Sequence, residues 1–161
     1  MSAFRGELAK GQIWNESCLL LKPMTYMNLS GQSVVRVLNY FKLAVQDLVV
    51  FYDDVDVPRG TVRARLGGRS GGHKGVQSII EHLGSDDFHR IKLGIGKPDS
   101  MNQASEEDRP RSREGPQDVS DWVLSQFTDE ELKTLEDVMY REACLRLKQF
   151  FQQVRASECD E

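Results

Sequence analysis

Apolar and polar positions alternate along the chain with two different periods, and these periods predict strands separated by helices. Short apolar runs at 17–22 (SCLLLK) and 48–54 (LVVFYDD) predict two buried strands, the first closed by Pro23. Alternating patterns at 61–66 and 89–95 predict two further strands, of which the first is half-exposed with a cationic face. The stretch FRGELAKGQIW is expected to pair with the first apolar run.

Apolar residues at helical spacing predict three amphipathic helices. The first follows Ser30, which is expected to cap it, and the second ends at Gly84. The third begins at Thr128, which forms a capping box with Glu131, and is expected to continue as one long helix. The residues expected to face the core are Val34, Val37, Leu38 and Phe41, then Val76, Ile79, Ile80 and Leu83, then Leu132, Leu135, Met139, Leu147, Phe150, Phe151 and Val154. Strands alternating with helices predict an α/β fold with a mixed sheet flanked by helices.

A glycine-rich stretch, GGRSGGHKG at 67–75, precedes the second helix. It could form a phosphate cradle, a catalytic loop or an ordinary turn, because glycine permits all three. Its spacing does not match the nucleotide-binding pattern GxxxxGK[ST]. The following helix N-terminus would favour negative charge near this loop.

Length and composition predict a single domain spanning 1–161, since 161 residues with 39% hydrophobic content suffice for one core. Residues 98–117 are polar and charge-rich, and are expected to form a mobile loop within it. No apolar run reaches the roughly 18 residues of a membrane span, and the first ten residues lack a signal-peptide core. Three cysteines suit neither a zinc site nor a disulfide framework. These features predict a cytoplasmic protein without metal or cofactor.

Charge is segregated along the chain, although the net charge is only −4. Residues 59–97 carry eight Lys or Arg against three Asp or Glu, whereas residues 98–161 carry eight against sixteen. A basic middle permits a localised anion site within an acidic protein, and a solvated charged surface is the alternative.

Several segments together resemble a known family. They read LLLKPMTYMNLSGQSV, LVVFYDDVDVPRG, VRARLGGRSGGHKGVQSII and FHRIKLGIGKP, followed by VSDWVLSQF. In this order they resemble bacterial-type peptidyl-tRNA hydrolases over nearly all of residues 4–155. The resemblance implies a three-layer, phosphorylase/hydrolase-like domain. It also implies hydrolysis of the ester that joins a peptide to the 3′ end of tRNA, by a monomer that uses no metal.

The family's general base is a histidine in an N-terminal segment that reads approximately GLGNPG and then TRHN. Neither motif occurs in this sequence. The family's first strand, first helix and base are therefore expected to be missing, and the chain as written is expected to have little or no activity. A non-catalytic RNA-binding relative, such as an intron-splicing partner, is the alternative.

The resemblance assigns site residues by motif match. Asp53 in FYDDVDVP would orient the base histidine, with an acidic turn residue as the alternative. Asn28 in YMNLSG would bind the peptide and ester, since an amide both donates and accepts. Tyr26 and Met27 would line the site as an apolar wall, or serve in ordinary packing.

Cationic positions are assigned in the same way. Lys74 stands where the family commonly has asparagine, and an ammonium donates but cannot accept. His73 is hypothesised to replace the missing base, with a structural role as the alternative. Arg65 and Lys92 would clamp the 5′-phosphate of tRNA, with solvated strand charge as the alternative. Weaker candidates are Arg59, Arg63 and Arg69. The clamp argues against a small-molecule esterase, and no GxSxG motif supports a serine hydrolase.

Overall fold

The computed structural model describes residues 3–97 and 119–158, with side chains described as far as residue 152. The strands are β1 (Gly6–Ile13), β2 (Glu16–Pro23), β3 (Val49–Asp54), β4 (Val62–Leu66) and β5 (His89–Gly94). The helices are α1 (Ser30–Phe41), α2 (Lys74–Leu83), α3 (Val119–Val123), α4 (Asp129–Thr134) and α5 (Tyr140–Glu158). Short 3₁₀ turns occupy Met27–Leu29 and Val45–Asp47, and a π-helical segment occupies Leu135–Met139.

The chain divides into two compact units. Unit 1 comprises residues 1–50 and 66–89, and unit 2 comprises residues 51–65 and 90–161. One domain spanning 1–161 stays a prediction, and the loop expected at 98–117 lies outside the described residues.

Unit 1 begins with an antiparallel hairpin of β1 and β2, which confirms the expected pairing of FRGELAKGQIW with SCLLLK. Trp14 and Asn15 connect the strands with φ angles of 50° and 67°, the left-handed geometry that suits a two-residue hairpin turn. The prediction of a buried strand here is wrong, because Leu20 is 59% exposed. Every side chain of β2 is half-buried or exposed.

Helices α1 and α2 form the core of unit 1. They approach so closely at Gly31 that a Cβ there would lie 2.7 Å from the carbonyl carbon of Ser78. The backbone N–H of Gly31 also donates to Ser78 Oγ at 3.1 Å. Helix α2 ends at Gly84 with φ 66°, as predicted. Buried apolar residues of this unit are Val34, Val37, Leu38, Val76, Ile79 and Phe88.

Ser30 does not cap α1, so that prediction is wrong. The N-cap position is Leu29, and Ser30 is the first helical residue. The Ser30 hydroxyl donates to the carbonyl of Met27 at 2.8 Å. The 3₁₀ turn Met27–Leu29 runs directly into the helix, so it supplies backbone geometry where a side-chain cap was expected.

A second sheet has the strand order β3-β5-β4. The N–H groups of His89 and Ile95 donate to the carbonyls of Leu48 and Asp54, a progression that makes β3 and β5 parallel. In contrast, Gly94 N–H donates to Thr61 and Gly67 N–H to Phe88, which makes β4 and β5 antiparallel. The sheet is therefore mixed, as predicted.

The C-terminal part of unit 2 is helical. Thr128 and Glu131 form the predicted capping box at the start of α4. The expected long helix then runs through the π-helical segment Leu135–Met139 into α5. Because a π turn changes the helical phase, apolar positions before it rotate away from those after it, and Leu132 is 43% exposed. The buried apolar residues of unit 2 are Tyr52, Val57, Val62, Ile91, Met139, Ala143 and Phe150.

No helix in the described part of the chain is long and apolar enough to cross a membrane.

Candidate functional site

Unit 1 brings together the predicted site residues at 26–28 and 73–74. The turn that carries Asn28 packs against α2, whose first residue is Lys74. The turn and the helix are in close contact, since a Cβ on Gly75 would lie 2.6 Å from Met27 Sδ. Glycine at 75 therefore lets the Met27 thioether reach the start of the helix. Asn28 and Lys74 are both exposed beside this contact.

His73 caps α2. Its Nδ1 accepts the backbone N–H of Val76 at 3.1 Å. An accepting Nδ1 carries no proton, so the neutral ring must carry its proton on Nε2. In this tautomer the basic lone pair is on Nδ1, so His73 would have to release the Val76 N–H before it could accept a proton from water. The geometry thus favours the structural role over that of substitute base.

The apolar wall predicted at 26–27 is open to solvent. Tyr26 is 82% exposed and Met27 is 53% exposed. Met24 beside them is 61% exposed, so the segment before α1 presents three large apolar side chains to solvent. Such a surface can receive an apolar group of a ligand.

Unit 2 places Asp53 and Asp54 at the end of β3, where both side chains are half-buried. Asp54 is fixed at both carboxylate oxygens. Its Oδ1 accepts the N–H of Asp56 at 2.9 Å, and its Oδ2 accepts from Lys92 Nζ at 2.7 Å. Successive side chains of a strand point to opposite faces, so Asp53 lies on the other face of the sheet from Asp54.

The strand register explains how Lys92 reaches Asp54. The hydrogen bonds between β3 and β5 pair Tyr52 with Lys92 and Asp54 with Gly94. Lys92 therefore lies two positions before the residue opposite Asp54, and its long side chain spans this offset to reach Asp54 Oδ2. The ammonium also lies 5.8 Å from the centroid of the Tyr52 ring. On the other side of β5, the β4 register sets Arg63 opposite Lys92.

The ion pair shifts the pKa of both partners. Burial acts to raise the pKa of the Asp54 carboxyl, but the hydrogen bond from Lys92, the backbone N–H groups and the Lys92 charge outweigh it and lower the pKa below 3.8. Burial acts to lower the pKa of Lys92, but the hydrogen bond and charge of Asp54, with Tyr52, raise it above 10.5. Both groups are therefore charged at neutral pH.

Arg65 and Lys92, the predicted phosphate clamp, occupy neighbouring strands of unit 2 in different environments. Arg65 is exposed on the edge strand β4, as is Arg63. The Lys92 side chain is only 22% exposed and is paired with Asp54. Sequence reasoning gave Asp54 no role, because nothing in the linear pattern shows the offset between β3 and β5. An acidic residue at a strand end facing a basic strand was the one available signal.

Arg59 links three segments of unit 2. Its guanidinium pairs with Glu131 Oε1 at 2.9 Å and lies 5.1 Å from the Trp122 ring centroid. Trp122 Nε1 donates to the carbonyl of Gly96 at 2.9 Å, while Glu131 Oε2 accepts the N–H of Thr128 at 2.7 Å. Helix α3 is thereby anchored through its tryptophan, and Arg59 is engaged in a structural contact.

The predicted residues thus form two sets. Unit 1 holds Tyr26, Met27, Asn28, His73 and Lys74, and unit 2 holds Asp53, Arg65 and Lys92. A common pocket formed by both sets stays a prediction. Among residues 3–97 and 119–158, no three His, Cys, Asp or Glu side chains are grouped so that they could hold a metal ion.

Comparison with known proteins gives consistent matches. The family model described as peptidyl-tRNA hydrolase matches residues 1–159. A peptidyl-tRNA hydrolase of Geobacillus thermodenitrificans is 42% identical over 140 residues, covering 87% of this chain and 67% of that protein. One of Syntrophomonas wolfei is 45% identical over 132 residues, covering 82% and 63%. The chain therefore spans about two thirds of the length of the curated relatives it matches.

Solved structures similar to this chain are also peptidyl-tRNA hydrolases. The crystal structure of peptidyl-tRNA hydrolase from Acinetobacter baumannii superposes with a TM-score of 0.74 at 31% identity, covering 95% of this chain and 70% of that one. A complex of peptidyl-tRNA hydrolase with N-propanol gives a TM-score of 0.71 at 32% identity, covering 92% and 70%. The chain belongs to the peptidyl-tRNA hydrolase family.

Proposed function

We propose that this protein hydrolyses the ester bond between the peptide and the tRNA of peptidyl-tRNA, and so recycles tRNA. The family match over residues 1–159 supports this activity. The observation that carries it is the packing of the turn Met27–Leu29 against α2, with Met27 at the first turn of the helix, which brings residue 28 close to a helix N-terminus. Amide donors and a positive dipole end suit a carbonyl oxygen that gains negative charge during ester hydrolysis.

Each predicted residue takes one part in this proposal. Asn28 binds the ester, and the Lys74 ammonium attracts the developing negative charge. Asp53 orients the imidazole that removes a proton from water, as the family resemblance implies. The apolar surface of Tyr26 and Met27 receives the peptide.

The proposal extends to the nucleic acid. Arg65 and Lys92 contact phosphate at the tRNA acceptor stem, since phosphate contacts position a nucleic acid without reading its sequence. The protein acts as a monomer in the cytoplasm. The basic segment 59–97 supports the contact with tRNA phosphate, because it concentrates positive charge in an otherwise acidic chain.

A peptide-release assay with labelled peptidyl-tRNA tests the activity. We expect little release from this chain alone, because its sequence lacks a TRHN-like motif. A chimera preceded by the N-terminal segment of the Geobacillus relative should release peptide at least about a hundredfold faster. Asp53→Asn in that chimera should remove most of this gain.

The same assay can contradict the proposal. A folded chimera that binds tRNA and releases no peptide would favour a non-catalytic RNA-binding protein. Equal release by the Asp53→Asn chimera would remove Asp53 from the mechanism and leave the activity itself intact.

A further inference from the structure

Lys92 differs from an ordinary surface cation because its ammonium is partly buried and paired with a carboxylate. Its ammonium contacts Asp54 Oδ2 at 2.7 Å, and the two side chains are 22% and 13% exposed. The second oxygen of Asp54 is held by the N–H of Asp56, so the carboxylate cannot turn away easily. The carboxylate is therefore a fixed negative charge beside the lysine.

A second pair nearby shows a different arrangement. Lys97 Nζ contacts Asp56 Oδ1 at 2.6 Å, but these side chains are 44% and 65% exposed. Exposed pairs are strongly screened by water and salt, whereas partly buried pairs are screened less. The two aspartates are two residues apart and carry equal charge, so they form a matched comparison.

A second cation lies beside Lys92, so the negative charge of Asp54 acts on more than one positive group. The register sets Arg63 opposite Lys92 on β4, and like charges directly opposite each other are unfavourable. The Tyr52 ring lies on the β3 side. The Asp54 carboxylate contacts the Lys92 ammonium and offsets part of the positive charge of Lys92 and Arg63.

We propose that Asp54 attenuates the attraction of Lys92 for a tRNA phosphate, so that the protein binds tRNA weakly enough to release it. This inference rests on the proposed function, in which Lys92 contacts phosphate. A phosphate that reaches the ammonium lies close to the Asp54 carboxylate and is repelled by it. The clamp is therefore a cation of reduced strength beside the exposed Arg65.

The reason for such attenuation is chemical. tRNA is present in both substrate and product, so contacts to tRNA alone bind both equally and slow product release when they become too strong. Removing the negative charge of Asp54 should tighten tRNA binding, and most strongly at low salt, where electrostatic contacts to phosphate are least screened.

The test measures the dissociation constant of uncharged tRNA for the full chain and for Asp54→Asn, Asp56→Asn, Lys92→Gln and the double variant Asp54→Asn/Lys92→Gln. Each is titrated at two salt concentrations, with tRNA carrying a 5′-phosphate or a 5′-hydroxyl. Asp56→Asn makes the same change of charge at the exposed pair. Asp54→Glu, which restores the charge, serves as the rescue variant.

We expect Asp54→Asn to bind 5′-phosphorylated tRNA about five- to tenfold more tightly at low salt, and Asp56→Asn at most about twofold more tightly. The gain should shrink at high salt and with 5′-hydroxyl tRNA. It should disappear when Lys92 is also replaced, and Asp54→Glu should bind as the unmodified chain does.

Equal effects of Asp54→Asn and Asp56→Asn would overturn the inference, as would weaker binding by a folded Asp54→Asn protein. If Lys92→Gln weakens binding in those cases, the phosphate clamp stands and only the attenuation fails. If Lys92→Gln has no effect, both fail. Should Asp54→Asn not fold, Asp54→Ser makes the same comparison, because its hydroxyl can still accept the N–H of Asp56.

Discussion

His73 holds the first turn of α2 through a ring nitrogen, and substitution can separate this role from catalysis. We predict that His73→Ala lowers the free energy of unfolding by about 1 kcal/mol, because the N–H of Val76 loses its acceptor. His73→Asn should retain most of the stability, since asparagine is a favourable N-cap residue. Urea denaturation of the three proteins measures the difference.

The release assay on the active chimera separates the roles further. Normal release by His73→Asn would agree with a structural role. Loss of release with an unchanged free energy of unfolding would instead show that the imidazole itself takes part in the chemistry.

Single residues also show where sequence reasoning reaches its limit. The family resemblance pointed to Asp53, and β3 does end in this acidic pair. The partnership of Asp54 with Lys92 spans 38 positions and depends on the offset of two parallel strands. No local pattern encodes that offset, so only the folded chain shows that the predicted clamp lysine is already paired.

At the scale of elements, the crossing of α1 and α2 supports the turn that carries Asn28. We predict that Gly31→Ala lowers the free energy of unfolding by about 1–3 kcal/mol, because the new methyl group would meet the backbone of Ser78. Gly11→Ala is the matched control, since nothing lies within 4 Å of a Cβ at Gly11. Urea denaturation of both variants checks this, and equal stabilities would contradict the close crossing.

The periodicity of the sequence predicted the positions of strands and helices better than it predicted which side chains are buried. All the predicted strands and helices occur, because local spacing of apolar residues encodes them. Burial depends on which layers cover an element, and this is not local. Phe51 on β3 and Leu66 on β4 are 45% and 55% exposed, whereas Tyr52 and Val62 on the same strands are buried.

At the scale of the whole molecule, charge segregation along the sequence overstated the available positive charge. Lys92 and Lys97 in the basic segment pair with Asp54 and Asp56, and Arg59 pairs with Glu131. Arg63 and Arg65 remain exposed on β4. The attraction of tRNA should therefore depend more on this strand than a count of cations suggests.

The stability of the whole molecule should depend on pH through His89. Burial lowers the pKa of His89 below 6.5, and the charge of Asp87 offsets this only in part. As the pH falls through 6.5, the unfolded chain takes up the proton before the folded protein does, so the free energy of unfolding decreases. Below the lowered folded pKa both states are protonated, and this contribution stops changing.

We predict that the free energy of unfolding decreases less for His89→Gln than for the unmodified protein between pH 7.5 and 5.5, as measured by urea denaturation at both values. Because Asp54 has a pKa below 3.8 and Lys92 one above 10.5, their ion pair stays intact throughout this range and cannot produce the difference. An identical loss in both proteins would show that the imidazole of His89 is as easily protonated in the fold as in the unfolded chain.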